Sequence, residues 1–175
     1  MRAIAFAAML VLTGCVAGGG GGNVVSLRPS DPATSILDGG PLSMRTVTSN
    51  ANGDDPLVVV TLSRADGRSM QFEEANHAPN DVRAQAVSGP LAQAMGLMGE
   101  EQPVLYHLRE GGSGAPFICA PGGPLSIGIY SAPDGQVSVV GLKSNFEFEE
   151  RPDGTAEALP YSPDHICARM HFTKG

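Results

Sequence analysis

Hydrophobic positions along most of this chain come in short runs cut by Gly, Pro and Asp. "LVVVTLS" (57–63) is rich in β-branched residues, and "RSMQFEE" (68–74) alternates so that Met70 and Phe72 share a face. Period-two alternation is the mark of a strand buried on one side. Between the two runs lies Ala65-Asp66-Gly67, and Asp-Gly is a strong hairpin signal because both residues tolerate positive φ. The pattern recurs. "PLSIGIYS" (124–131) and "QVSVVGL" (136–142) flank Pro133-Asp134-Gly135, and "SNFEFEE" (144–150) runs into Pro152-Asp153-Gly154. "PVLYHLR" (103–109), "PFICA" (116–120) and "HICARMHF" (165–172) read as further strands.

One stretch has a different period. In "APNDVRAQAVSGPLAQAMGLMGEE" (78–101), Val82, Ala86, Leu91, Ala94 and Met95 recur at helical spacing. Asn80 or Asp81 can cap its start. Gly89-Pro90 predicts a break, with Ser88 capping a second short helix. Met95, Leu97 and Met98 are expected in the core. The expectation is one mainly β (α+β) domain over 43–175. It holds about seven to nine antiparallel strands in a small barrel or sandwich, with one short interrupted helix.

The start of the chain departs from this pattern. Arg2 precedes an unbroken apolar run from Ala3 to Leu12, the layout of a signal peptide over residues 1–14. The run is too short to span a bilayer, which takes about 20 apolar residues. It ends in Leu12-Thr13-Gly14-Cys15, which resembles the lipobox of bacterial lipoproteins. The resemblance implies cleavage before Cys15, a diacylglycerol on its thiol and a further palmitate-like acyl chain on its amino group. One acyl chain binds membranes only marginally, so several are needed for a stable anchor. Val16, where an Asp marks inner-membrane retention in that family, implies an outer-membrane anchor with the domain facing the periplasm. "VAGGGGGN", "RPSDPATS" and "DGGP" follow, and residues 15–42 are expected to be a lipidated, flexible Gly/Pro-rich tether with a reach of about 25–30 Å.

Charge and composition narrow the function. The net charge of −7 and the absence of any basic run argue against nucleic-acid binding. Aromatics make up 5% with no Trp, which disfavours a stacking platform for sugars or bases. If Cys15 carries lipid, two of the three cysteines remain, and Cys119 and Cys167 are expected to form a disulfide in an oxidising compartment.

Candidate chemistry is sparse. Alternation places His165, Cys167, Arg169 and His171 on one face of the last strand. These are metal-ligand types, but same-face neighbours stand about 6–7 Å apart, and a disulfide uses both thiols, so no metal or other cofactor is assigned. The same disulfide removes a Cys nucleophile for which His107, His165 or His171 could serve as base. Glu147 and Glu149 alternate with Phe146 and Phe148 and read as a solvated acidic strip that discourages edge pairing. "EGGSGAP" (110–116) reads as a loop and Asp54-Asp55 as a turn. No catalytic residue is assigned.

"FICAPGG" (117–123), in a small acidic β-domain on a lipid anchor, is similar to the membrane-bound inhibitors of c-type lysozyme. That family blocks its enzyme with a later Ser-Gly-x-x-Tyr loop. None follows Cys119, and Ser113–Phe117 precedes it, so no site residue carries over. Three functions are thus expected in order: binding of another, unspecified envelope protein, inhibition of a cell-wall lytic enzyme, or hydrolysis. An exposed apolar groove favours the first. A protruding Ser113–Phe117 loop favours the second. A cleft joining His171 to Glu147 or Glu149 favours the third.

Overall fold

A computed structural model describes residues 22–34, 40–49, 57–75, 82–97, 102–153 and 155–175. The leader, Cys15, Asp54, Asp55, Asn80, Asp81 and Met98 lie outside them. Eight strands close into an antiparallel barrel: β1 (Asn23–Pro29), β2 (Leu42–Ser49), β3 (Leu57–Arg64), β4 (Ser69–Glu74), β5 (Val104–Ser113), β6 (Ser126–Ser131), β7 (Gln136–Leu142) and β10 (Ile166–Lys174). β8 (Phe148–Glu150) and β9 (Ala156–Ala158) form a separate hairpin inserted between β7 and β10. Among the described residues one long helix, α1 (Val82–Met95), connects β4 to β5.

Each barrel strand pairs with the next barrel strand along the chain, and β10 returns to pair with β1. The turn chemistry explains this meander. Gly67 and Gly135 take φ of +87° and +88° at the two hairpin tips read from Asp-Gly. Asp134 Oδ1 accepts from the Gln136 N–H at 3.0 Å, fixing the second turn.

The interior is solid. Leu27, Leu62, Phe72 and Phe172 are fully buried there, with Met44, Val60, Ile127, Val139 and Met170 around them. An eight-stranded barrel is just wide enough for its side chains to fill it.

Three expectations change. Residues 23–29 are not tether but strand β1, paired with β2 over Asn23–Leu27 and with β10 over Leu27–Pro29. Val25 and Leu27 alternate toward the core, and burying them outweighs the Gly/Pro-rich setting. The helix is not interrupted: Pro90 sits inside α1. Its missing N–H costs about 3 kcal/mol, but Val87, Leu91 and Met95 bury one face against the outside of the barrel, on Leu105, Val140 and Leu142. "PFICA" is not a strand. It leaves the wall and folds back over one barrel mouth, burying Phe117 and Ile118 in the core.

The helix reaches the wall because β6 has no side chain beneath it. A Cβ on Gly128 would stand 2.6 Å from Leu91 Cδ1 and 2.9 Å from Val140 Cγ1. Both neighbours are fully buried, so neither can move aside cheaply. Gly128→Val should therefore lower stability by about 1–3 kcal/mol. Urea unfolding is expected to show a lower midpoint with an unchanged slope.

Candidate functional site

The barrel has two unlike ends. One carries the start of β1 and the β6–β7 turn. The other carries the β3–β4 turn, the segment 114–125 between β5 and β6, and the β8–β9 insertion. Everything that resembles a site gathers at or near the second end.

Segment 114–125 is its plug. Phe117 is 5% exposed, and the guanidinium groups of Arg64 and Arg68 lie 5.5 and 5.8 Å from its ring centroid. Such contacts stabilise by about 0.5–1 kcal/mol at exposed sites. Asp66, at the hairpin tip, accepts from Arg68 Nε at 2.9 Å and holds that cation in place. The same bonds keep the Asp66 carboxyl below its ordinary range.

The structure joins Cys119 to Cys167 with their Cα atoms 5.3 Å apart, within the span a disulfide needs. The pairing depends on a bulge. Ile166 opposes Leu142 but Ala168 already opposes Gly141, so one residue of β10 is extra. Cys167 is that residue, and the expected single face breaks there. It turns inward, beside the interior position of Gly141, where a Cβ would meet Cys119 Sγ at 2.6 Å. Arg169 stays outside, where its Nε donates to the Ala94 carbonyl at the end of α1.

The three described histidines are scattered. His171 lies on the outer wall, its Nδ1 3.1 Å from Ser138 Oγ. His165 ends the 3-10 turn Pro163–His165. His107 lies on β5, directly opposite Glu73 on β4 and Ser126 on β6. Its Nδ1 is 2.8 Å from Ser126 Oγ. Carboxylate, imidazole and hydroxyl thus stand in a row across three strands. The row does not make a nucleophile, because Ser126 is 1% exposed and no substrate reaches its oxygen. Burial holds His107 below its ordinary value, and Glu73 only partly opposes this. Glu73 is also within 3.7 Å of Arg109. Among the described residues, no three His, Cys, Asp or Glu side chains stand together to hold a metal ion.

Two surface hollows lie among the described residues. One, of about 290 Å³, runs along β4 and β5 and is lined by Met70, Gln71, Leu108, Arg109 and Pro116. Leu125 sits beside it, 52% exposed, its carbonyl accepting from the Leu108 N–H at 2.9 Å. The other, of about 340 Å³, lies at the foot of the β8–β9 hairpin between Asn145–Glu147 and Leu159–His165. Its Tyr161 is fixed: the hydroxyl donates to the Ser144 carbonyl at 2.8 Å, and the ring lies 4.7 Å from that of Phe146. Phe146 is buried while Glu147 and Glu149 are exposed, the solvated acidic strip read from the alternation. This cleft gathers Glu147 with His165, not with His171. Leu159 and Tyr161 had no signal in the sequence. The row of Glu73, His107 and Ser126 had none either, since each strand contributes one residue.

The chain matches no protein-family model, no curated protein and no solved structure.

Two measurements follow from this geometry. Cys119 and Cys167 should both resist alkylation in unreduced, denatured protein, and reduction should cost about 4 kcal/mol for a loop spanning 48 residues. Burial makes His107 harder to protonate when folded, while the unfolded chain protonates near its ordinary 6.5. The unfolded state then binds more protons as pH falls through that value, so stability should decline from about pH 7 downward until the lower folded value is passed. Replacing His107 by Gln should flatten that slope in urea midpoints measured across pH 5–8.

Proposed function

We propose that this protein is a lipid-anchored lipoprotein of the bacterial outer membrane whose barrel binds another component of the envelope, without catalysing its conversion. The observation that carries the binding reading is the apolar hollow beside β5. There Leu108 and its backbone partner Leu125 are both exposed, and Leu108 shares the lining with Met70 and Pro116. Large exposed apolar patches on a soluble domain mark interaction sites. A non-enzymatic role is supported by the fate of the reactive groups: both described thiols are joined and Ser126 is buried. Phe117 lies in the core, so of the Ser113–Phe117 segment on which the inhibitor reading rests only Ser113–Ala115 is exposed.

The anchor rests on Leu12-Thr13-Gly14-Cys15. Because β1 begins at Asn23, only residues 16–22 separate Cys15 from the barrel. Seven residues span no more than about 25 Å even when fully extended. The domain is then held close to the bilayer by the end that carries Asn23, with the plug and both hollows turned outward.

Cys15→Ser should abolish labelling by a palmitate analogue and move the protein from membrane to soluble fractions. Leu125→Ser should leave both unchanged and reduce cross-linking of the barrel to its envelope partner. Undiminished labelling of the serine variant would sink the anchor reading.

A further inference from the structure

The insertion between β7 and β10 carries a charge out of proportion to its size. Over residues 143–165 it holds six acidic side chains against Lys143 and Arg151, while the whole chain has a net charge of −7. The structure arranges that charge. In the β8–β9 hairpin Phe148 opposes Ala158, Glu149 opposes Glu157, and Glu150 opposes Ala156. The pairing continues to Glu147, whose carbonyl accepts from the Leu159 N–H at 2.9 Å. Phe146, Phe148 and Ala158 pack toward α1. The other face therefore presents Glu149 against Glu157 and, one step along, Glu147 against Leu159. Like charges directly opposite on a sheet are destabilising. Arg151, at the tip, bonds Glu157.

The strip of carboxylates ends in the cleft. Its wall is apolar: Leu159, 37% exposed, then Pro160 and the ring of Tyr161. Glu147 and Asn145 stand on one rim and His165 on the other. The bonds already described hold Tyr161 before anything arrives. A carboxylate at the edge of a short apolar wall fits one kind of group, an aliphatic stem ending in a cation. Lysine and arginine side chains have that form, burying the stem and leaving the head at a polar rim.

We propose that this cleft holds a lysine or arginine side chain of a basic polypeptide, its stem on Leu159, Pro160 and Tyr161 and its head on Glu147. The exposed Glu149, with the net negative charge of the insertion, steers the rest of the basic segment alongside. This rests on the reading of the domain as a binding module, and names the partner's chemistry.

The test uses the purified full chain and a fluorescein-labelled decapeptide of alternating Lys and Gly, with a Glu-Gly decapeptide as comparison. Fluorescence anisotropy at low salt should show saturable binding of the lysine peptide alone. Glu147→Gln should weaken it about tenfold, because an acceptor oxygen remains but the carboxylate's charge is lost. Leu159→Ser should weaken it about fivefold through lost apolar contact. Asp134→Asn, which removes the same charge at the opposite end of the barrel, should change it by less than about twofold. Unaltered near-ultraviolet circular dichroism keeps each variant comparable. Equal weakening by Glu147→Gln and Asp134→Asn would overturn the cleft in favour of diffuse charge. Absence of saturable binding would overturn it as well. If partner cross-linking sensitive to Leu125→Ser persists in that case, the binding module stands and only its basic partner falls. If that cross-linking is absent too, both fall together.

Discussion

Closure of the barrel is the constraint on which the rest depends. A meander of eight strands has two bare edges until the first meets the last. Here the meeting is short: Leu27 opposes Lys174, Arg28 opposes Thr173, and Pro29 opposes Phe172. Bonds beyond the ladder lengthen it. The Ser30 N–H donates to the His171 carbonyl at 2.8 Å, and the Gly175 N–H to the Ser26 carbonyl at 2.9 Å. The buried Thr34 hydroxyl accepts from the His171 N–H at 2.8 Å and donates to Asp31 at 2.7 Å. Those bonds from Thr34, with His171 nearby, hold the Asp31 carboxyl below its usual range. A segment that reads as loop thus fastens the seam.

With the wall closed, the two mouths become distinct problems. At one, the chain between β5 and β6 turns inward and fills the opening with Phe117 and Ile118. The disulfide then ties this plug to β10, a strand on the far side of β6 and β7. On the wall, α1 covers β5 to β7, and the β8–β9 hairpin adds Phe146 and Ala158 to the same apolar layer. The hairpin's other face is left to solvent and carries the acidic strip. Two cores, one inside and one outside, share the strands between them. Val139 faces in and Val140 faces out.

How much of this the sequence disclosed depends on how local each cause was. The Asp-Gly turns, the β-branched run of β3 and the alternation in β4 are local, and the structure keeps them. The signal for β1 was also present, as Val25 and Leu27 two apart, but Gly and Pro around them suggested a tether. Pro90 suggested a break that packing against Leu105 and Val140 overrides. "PFICA" shows the limit of an apolar run: strand and plug look alike until the mouth it fills is known. Alternation placed Cys167 with its neighbours, and a bulge moved it. At the cleft, Glu147 was visible as part of a strip, whereas its apolar wall arises from a hairpin folding Leu159 and Tyr161 back upon it.

The two strands that meet at the seam lie near opposite ends of the chain, residues 23–29 and 166–174. Every other contact in the wall forms between strands that follow one another, so most of the sheet can assemble as the chain emerges. The first strand waits for the last. Such a long-range pairing slows folding, because the loop must close before the contact rewards it. Until Phe172 and Met170 arrive, the interior side chains of β1 and β7 lack their packing neighbours on β10. A chain cut short before Ile166 would lose more than one strand. It would keep two open sheet edges and an unfilled core, the features by which an incomplete β-protein aggregates and is recognised for degradation.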